Sequence, residues 1–192
     1  MTERRRAAID RGLEAASAAH LRLRGDGAGP IAAAAGAIVE ALGQGRMVLV
    51  FGNGGSAADA QHFAAELAGR FVKERRGWPA VALTTDTSAL TAIGNDYGFA
   101  QVFARQVEAL GRAGDVAIGI TTSGASPNVV AALDAARARG LVTIALTGRD
   151  GGAAGQTAAI HVNVAETVTA RIQEVHMTVL HLICEIVDEE LS

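Results

Sequence analysis

The sequence has a single cysteine, a single lysine, few aromatic residues and no surplus of positive charge. Aromatic residues make up 4% of its 192 residues, and 17 basic residues stand against 20 acidic ones, for a net charge of −3. It therefore lacks both the stacking aromatics and the cationic surface of nucleic-acid-binding proteins, and we expect no nucleic-acid partner. The lone Cys184 cannot form an internal disulfide, and its apolar helical surroundings predict a buried, inert thiol.

Long hydrophobic runs are missing as well. No apolar stretch approaches the roughly 18 residues that a membrane-spanning helix needs. The opening residues MTERRR lead into a mixed-charge helix, whereas a signal peptide would continue into an apolar segment. Hydrophobic residues nevertheless make up 49% of the chain, which is ample for a core. We therefore expect a cytoplasmic protein with no membrane partner, built as one domain over residues 1–192.

Strands alternate with helices from residue 46 onward. Short apolar runs predict five strands at 47–51, 81–84, 115–120, 141–146 and 160–164. Helices are predicted at 57–71, 99–111, 127–139 and 166–190. This alternation is typical of an α/β fold, in which a doubly wound five-stranded parallel sheet is flanked by helices.

The first 45 residues precede any strand and are predicted to form a helical arm, leaving residues 46–192 as the α/β core. Helices are expected at 3–23 and 30–42, and the first carries an apolar stripe. The C-terminal helix is apolar nearly all round, which is typical of a helix buried on more than one side. We expect the arm and the C-terminal helix to serve oligomerisation; packing within one subunit is the alternative.

Two loops combine glycine with hydroxyl side chains. GNGGSA (residues 52–57) follows the first strand, and TTSGASP (residues 121–127) follows the third. Glycine allows close backbone approach, and amides at a helix N-terminus favour an anion. The spacing fits neither the dinucleotide motif nor the P-loop. If the first and third strands are neighbours where the winding reverses, both loops line one crevice and can hold a phosphate without a cation. The alternative for the first loop is an ordinary glycine-rich turn capped by Ser56.

Polar residues recur every fourth position on two helices. His62, Glu66 and Arg70 follow the first loop, and the terminal helix carries Gln173 and His181 on one face. A buried polar group without a hydrogen-bond partner costs roughly 1–3 kcal/mol of stability. Gln173 and His181, on an otherwise apolar helix, therefore need partners. The alternatives are a solvated stripe on the first helix and satisfied structural groups on the second. His20, His161 and His176 are predicted to be structural.

These motifs resemble the sugar isomerase (SIS) domain family, and within it the enzymes that act on a phosphorylated seven-carbon sugar. The resemblance covers almost the whole chain. It is carried by GNGGSA (52–57), Gln61, His62, Glu66, GND (94–96), TSG (122–124), Ser126, LTG (146–148), DGG (150–152), RIQE (171–174), His176 and His181. Two positions depart from the family pattern, Ala125 in place of an amide side chain and Ala170 in place of an acidic one.

The resemblance implies an isomerase that interconverts sedoheptulose 7-phosphate and D-glycero-D-manno-heptose 7-phosphate through a cis-enediol. Glu66 would be the base and His181 the partner acid/base. The substrate would be bound by Asn53, Gly54, Gly55, Ser56, Asp96, Thr121, Thr122, Ser123, Ser126 and Gln173. Zinc would be held by His62, Glu66, Gln173 and His181. The resemblance also implies a homotetramer.

Two non-catalytic alternatives remain at this stage. A relative within the family, the DnaA initiator-associating protein, is an oligomeric scaffold and shares RIQE and the following His176 and Met177 with this chain. Its pattern lacks the acid/base pair that this chain has at Glu66 and His181. The other alternative is a phosphosugar-sensing module, which would bind the sugar phosphate without converting it.

Overall fold

A computed structural model describes residues 2–191, so Met1 and Ser192, the ends of the predicted domain, lie outside the described residues. Five parallel strands form one sheet in the order β2-β1-β3-β4-β5. The strands are β1 (Val48–Gly52), β2 (Ala80–Ala82), β3 (Val116–Thr121), β4 (Val142–Gly148) and β5 (Ile160–Val164). The strand order reverses between β1 and β3, which confirms the doubly wound parallel sheet.

Eight α-helices accompany the strands of the described chain. They are α1 (Glu3–Asp26), α2 (Ala28–Gly43), α3 (Gly55–Ala68), α4 (Thr87–Tyr97), α5 (Ala104–Leu110), α6 (Pro127–Ala138), α7 (Gly152–Thr157) and α8 (Thr169–Leu191). Residues of α2, α3 and α8 pack on one face of the sheet, and residues of α5, α6 and α7 on the other.

The strand β1 is continuously apolar because both of its faces are covered by helices. Val48 and Val50 pack into the layer with α2, α3 and α8, whereas Leu49 and Phe51 pack into the layer with α5 and α6. All four side chains are buried. A strand of a parallel sheet that helices cover on both sides has no solvent face, so alternation of apolar and polar residues disappears.

Several helix boundaries differ from the prediction. α3 ends at Ala68, before the predicted residue 71, and Arg70 therefore lies beyond the helix that carries His62 and Glu66. α8 begins at Thr169, where the sequence predicts residue 166, because the Glu166 carboxylate accepts hydrogen bonds from the two N–H groups that follow it. Those backbone hydrogen bonds hold the pKa of Glu166 below its ordinary value.

The structure also contains short helices, α4 and α7, that were not predicted from the sequence. Asp86 caps α4 by accepting a hydrogen bond from the N–H of Ala89 at 2.9 Å, a local pattern that the sequence carries. The helix predicted over 99–111 is instead a 3₁₀ turn at Phe99–Gln101 followed by α5. Helix α7 was not predicted, and its cap Gly151 has a φ of +86°, which favours glycine.

The C-terminal helix α8 is covered largely by its own chain. It packs against α1, α2, α3 and the sheet, so its apolar circumference does not by itself require a second subunit, contrary to the sequence-based argument. Helix α1 carries three exposed large apolar side chains, Ile9, Leu13 and Leu21, and others such as Val72 and Phe99 are exposed elsewhere. In the part of the chain that the structure describes, no helix is long and apolar enough to cross a membrane.

Candidate active site

The two predicted loops meet at the carboxyl ends of β1 and β3. These strands pair in register up to Gly52 and Ile120, which brings the segments that follow them side by side. Between them lies a cavity of about 250 Å³. It is lined by Asn53, Gly55, Ser56, Ile120, Thr121, Thr122, Ser126, Thr169 and Gln173. The predicted crevice at the reversal of strand order is therefore present.

Three helices begin at this cavity. Gly55 starts α3, Ser126 is the N-cap residue of α6, and Thr169 starts α8. The first N–H groups of a helix have no partner within the helix, and the helix dipole places partial positive charge there. None of the described residues that line the cavity carries a charged side chain. The cavity can thus hold an anion through amides and hydroxyls alone.

The hydroxyl groups of the second loop are linked to one another. The buried Thr121 Oγ1 lies 2.9 Å from Ser126 Oγ and 3.3 Å from Ser123 Oγ. Ser126 occupies the predicted N-cap position, but its side chain bonds Thr121 rather than the helix. Ser56 is buried within the first turn of α3, one residue after the helix begins, so it is not the cap that the alternative interpretation required.

Gln173 reaches the cavity because residue 55 is glycine. A Cβ at position 55 would lie 2.1 Å from Gln173 Nε2, well inside contact distance. The carboxamide therefore rests directly on the backbone at the start of α3. Gln173 lies two turns before His181 on α8, about 12 Å along the helix.

A second cluster lies further along the same two helices. His62 Nε2 is 3.0 Å from His181 Nε2 and 3.2 Å from Glu66 Oε1. The i, i+4 spacing on α3 places His62 beside Glu66, and the packing of α3 against α8 brings in His181. The ring of Phe71 lies 5.5 Å from that of His181, centroid to centroid. The two residues assigned to acid/base chemistry thus come together within one chain.

This cluster fits a zinc ion. The ligand atoms of His62, Glu66 and His181 all lie within 4.8 Å of one another. Two ligands that are each about 2.0–2.1 Å from a tetrahedral zinc are separated by about 3.3 Å, close to the two spacings observed here. Two imidazole nitrogens and one carboxylate oxygen are a common zinc donor set that leaves a position open for substrate. Gln173, the fourth predicted ligand, lies at the neighbouring cavity.

Asp59 is a polar residue of this region that the sequence analysis missed. It lies on α3 between the Gly55–Gln173 contact and the histidine cluster, and its Oδ2 is buried without a hydrogen-bond partner among residues 2–191. Burial raises the pKa of Asp59 to about 6, opposed by the charge of His62. Its spacing of three and seven residues from His62 and Glu66 places it on their side of the helix, a pattern that the sequence shows.

Asn53 is held by Asn128, which, like Asp59, was not among the predicted site residues. The side-chain amides of Asn53 and Asn128 exchange two hydrogen bonds, both of 2.8 Å. Asn128 is buried near the start of α6, whereas Asn53 lies at the cavity. This pair ties the first loop to the helix that follows the second.

Three of the predicted substrate-binding residues do not line the cavity. Gly54, with a φ of +56°, precedes α3 as its N-cap residue. Ser123 lines a neighbouring cavity together with Arg149 and Glu166. Asp96 is exposed on α4 and accepts a hydrogen bond from the Asn95 side chain at 2.8 Å. Their roles toward substrate stay predictions.

The histidines and the cysteine outside the cluster have internal roles. His176 is buried, its Nε2 lies 2.9 Å from the Thr147 carbonyl oxygen, and burial lowers its pKa to about 4. His161 Nε2 lies 2.6 Å from the Thr147 hydroxyl, and burial lowers its pKa as well. His20 Nε2 lies 2.9 Å from the hydroxyl of Thr178. Cys184 is buried, as predicted, and burial, followed by the charge of Glu66, raises its pKa to about 12.

A larger cavity, of about 390 Å³, lies between α1, α2 and the end of β5. The ion pair between Arg22 and Glu166 borders it. It does not contain the start of α3 or α6, and it lies apart from the histidine cluster. Volume alone therefore does not identify the functional site, and the smaller cavity is favoured because the two predicted loops and the first residues of α3 and α8, the helices of the histidine cluster, line it.

The chain is similar to known proteins over most of its length. The family model described as SIS domain matches residues 13–148. A protein of Geobacter metallireducens named phosphoheptose isomerase is 60% identical over 161 residues, which cover 84% of this chain and 85% of that protein. The structure of a phosphoheptose isomerase from Neisseria gonorrhoeae superposes with a TM-score of 0.86 at 49% identity, covering 97% of this chain and 98% of that one. One from Francisella tularensis gives a TM-score of 0.93 at 41% identity, covering 98% and 100%.

Proposed function

The chain belongs to the SIS domain family, and from that premise we propose that it interconverts sedoheptulose 7-phosphate and D-glycero-D-manno-heptose 7-phosphate through a cis-enediol. Its relatives with about 60% identity are named for the isomerisation of a phosphoheptose, and this chain is an enzyme of that kind. One observation carries the proposal: a carboxylate oxygen of Glu66 and an imidazole nitrogen of His181 lie within 4.8 Å of each other on α3 and α8, two helices whose first residues line a cavity that can hold an anion.

The phosphate of the substrate would bind in the cavity between the two loops. Ser56, Thr121 and Ser126 supply hydroxyl donors, and the starts of α3, α6 and α8 supply free N–H groups. These donors are fixed by the fold, so little reorganisation accompanies binding. Phosphate at this end would leave the other end of the sugar chain to reach the histidine cluster.

Glu66 would carry the proton between carbons. In the ketose-to-aldose direction its carboxylate removes a proton from C1, and the electron pair forms the C1–C2 double bond of the enediol. The same carboxyl then returns the proton to C2 as the C1–O1 bond becomes a carbonyl. One base that faces both carbons suffices, and positioned acid–base catalysis of this type contributes typically 10²–10⁴-fold.

His181 would transfer the proton between the two substrate oxygens. The proton lost from the O1 hydroxyl must appear on O2, and an imidazole can take it from one oxygen and return it to the other near neutral pH. The Nε2 of His181 lies 3.0 Å from that of His62, so the neighbouring imidazole constrains the orientation of the ring. Phe71 packs near the ring of His181 and shields one side of it.

His62, Glu66 and His181 would hold zinc. Gln173, the fourth ligand that the family resemblance implies, lines the anion cavity two turns before His181. Zinc in the histidine cluster would orient and polarise the substrate oxygens. A carboxylate bound to a metal is a weaker base, so Glu66 cannot perform both tasks at full strength at one moment. We therefore assign the proton transfer between the carbons to Glu66 and the proton transfer between the oxygens to His181, and His62 would contribute to the orientation of the site.

We further propose that the protein assembles into a homotetramer through its helical arm, residues 1–45. Leu13 on α1 is 64% exposed, and Ile9 and Leu21 are exposed beside it on the same helix. Three large apolar side chains on a single exposed helix favour burial against another subunit. Glu66 and His181 lie close together within one chain, so the proposed acid/base pair would not need a residue from a second subunit.

The test is incubation of the purified protein with sedoheptulose 7-phosphate, followed by detection of the aldoheptose product. The isomerase forms that product, and Glu66→Gln abolishes turnover while inorganic phosphate still binds. A sensing module would bind the ketose without converting it, and a protein scaffold would do neither. Absence of turnover in the wild-type protein would overturn the proposal.

A further inference from the structure

A buried ion pair joins the chain just beyond α3 to the end of α8. The Arg75 Nε donates a hydrogen bond to Asp188 Oδ1 at 2.6 Å, and the two side chains are 2% and 3% exposed. Neither residue lines the anion cavity or belongs to the histidine cluster. The two residues come from segments 113 positions apart in the sequence.

The remaining donors of Arg75 all bind backbone carbonyl oxygens. Its Nη2 donates to the carbonyl of Glu66 at 2.9 Å, and its Nη1 donates to that of Leu67 at 2.9 Å. Weaker contacts from Nη1 reach the carbonyls of Gly69 and Arg76 at 3.3 and 3.1 Å. Carbonyls in the last turn of a helix lack partners within the helix. Arg75 thus supplies donors to the end of α3, at the residue whose carboxylate is the proposed base.

Asp188, on α8, also binds the backbone of the segment that follows α3. Its Oδ2 accepts hydrogen bonds from the N–H groups of Val72 and Lys73, each at 3.0 Å. Its own carbonyl accepts a hydrogen bond from Lys73 Nζ at 3.0 Å. Asp188 lies two turns after His181 on α8. One carboxylate therefore fixes α8 to the segment that turns back from α3.

We propose that Arg75 and Asp188 are positioning residues that set the distance between Glu66 and His181. They act by fixing the end of α3 on α8, and they do not touch the substrate. The inference rests on the proposed function, since it assigns a purpose to the geometry of that acid/base pair. Arginine is suited to this task because its planar group presents several donors in fixed directions, which lysine does not.

A purely structural role is the competing explanation. Buried ion pairs are weak evidence for stability, because replacement by apolar residues of similar volume is often neutral or stabilising. What distinguishes this pair is where its hydrogen bonds go: to the backbone of Glu66 and to the helix of His181. Misplacement of a catalytic group by about 1 Å can lower the rate about 100-fold.

The experiment measures kcat, KM and inorganic phosphate affinity for Arg75→Lys and Asp188→Asn, with folding verified by circular dichroism at the assay temperature. We expect kcat to fall about 10- to 100-fold, the range found when residues that orient active-site groups are removed. Phosphate affinity stays within about twofold of the wild-type value, because Ser56, Thr121 and Ser126 lie outside the affected region. The double variant Arg75→Met/Asp188→Leu guards against misfolding, since it leaves no unpaired buried charge.

Asp115→Asn is the matched control. Asp115 is also a buried carboxylate, and it accepts two backbone hydrogen bonds, from Met47 and Arg112, at the amino end of the sheet. It should lower the melting temperature and leave kcat unchanged. A folded double variant with wild-type kcat would overturn the positioning role, as would kcat losses that match those of Asp115→Asn at equal stability. Glu66→Gln is assayed in parallel: if it is inactive while the Arg75 and Asp188 variants are fully active, the inference fails and the proposed function stands.

Discussion

His62 Nε2 and His181 Nε2 face each other at 3.0 Å although 119 positions separate them in the sequence. Two ring nitrogens can approach this closely only if one carries the proton or both bind one cation, because two lone pairs repel. Glu66 Oε1 lies 3.2 Å from the first of them. The structure therefore brings two imidazoles and a carboxylate together on two helices whose first residues line the anion cavity.

The first prediction concerns zinc. His62→Gln should weaken zinc binding at least about 10-fold, because it removes one of the nitrogen ligands that orient the site. Affinity is measured by competition with a chromogenic chelator on metal-free protein. His20→Gln is the control, since His20 lies on α1 near Thr178 and away from the cluster. Equal zinc affinity of the two variants would remove His62 from the ligand set.

The second prediction concerns the contact between Gly55 and Gln173. Gly55→Ala should raise the KM for sugar phosphate severalfold, because the added Cβ would lie 2.1 Å from Gln173 Nε2 and force the carboxamide to move. Gly36→Ala on α2 is the control. No atom lies within 4 Å of a Cβ built there, so this change should raise helix stability by up to about 1 kcal/mol and leave KM alone. An unchanged KM in the Gly55 variant would contradict the placement of Gln173 at the substrate.

The third prediction concerns acid stability and His176. Burial lowers its pKa from 6.5 to about 4, so the unfolded chain binds a proton more readily than the folded one between these values. The stabilising contribution is complete above pH 6.5 and is lost as the pH falls toward 4, roughly 3 kcal/mol in all. His176→Gln should therefore show a smaller loss of unfolding free energy between pH 7 and pH 5 than wild type. Urea denaturation at both pH values measures it, and parallel losses would refute the assignment.

The fourth prediction concerns Asp59, whose effect has the opposite sign. Burial raises its pKa from 3.8 to about 6, so the folded protein binds this proton more readily and gains stability as the pH falls from 6 to 4. Asp59→Asn should raise stability at pH 7.5 by about 1 kcal/mol, a figure reduced for partial solvent exposure. That gain should shrink toward pH 5 in thermal melts. A gain independent of pH would show that burial of the charge is not its cause.

Much of the fold could be predicted because it depends on local pattern. The strand at 160–164 and the start of α6 at Pro127 agree with the structure, since apolar runs and helix-start residues are visible in short windows. The adjacency of β1 and β3, on which the crevice depends, entered the sequence analysis only as a condition, because the alternation of strands and helices predicts a parallel sheet but not its strand order. The C-terminus of α3 and the N-terminus of α8 could not be predicted in this way, because side-chain contacts of Arg75 and Glu166 with the backbone lie at these two positions.

The candidate site was predictable only in part. Glu66 and His181 carried recognisable spacing on their helices, and family resemblance linked them. Thr169 and Asn128 were missed because their importance lies in contacts between segments far apart in sequence. Asp59 was missed although its spacing from His62 and Glu66 is visible in the sequence, because its burial is not. Arg75 carries no local pattern at all; its donors matter only once α3 and α8 lie side by side.

The most direct test of the account follows a single proton. Sedoheptulose 7-phosphate is incubated in deuterium oxide with wild-type enzyme and with Glu66→Gln, and deuterium at C2 of the aldose product and at C1 of recovered ketose is measured by nuclear magnetic resonance. We expect wild type to form the aldose and to incorporate solvent deuterium. The variant, though still able to bind phosphate, should lose both by at least about 100-fold. Exchange and turnover at the wild-type rate in Glu66→Gln would contradict the assignment of Glu66 as the base.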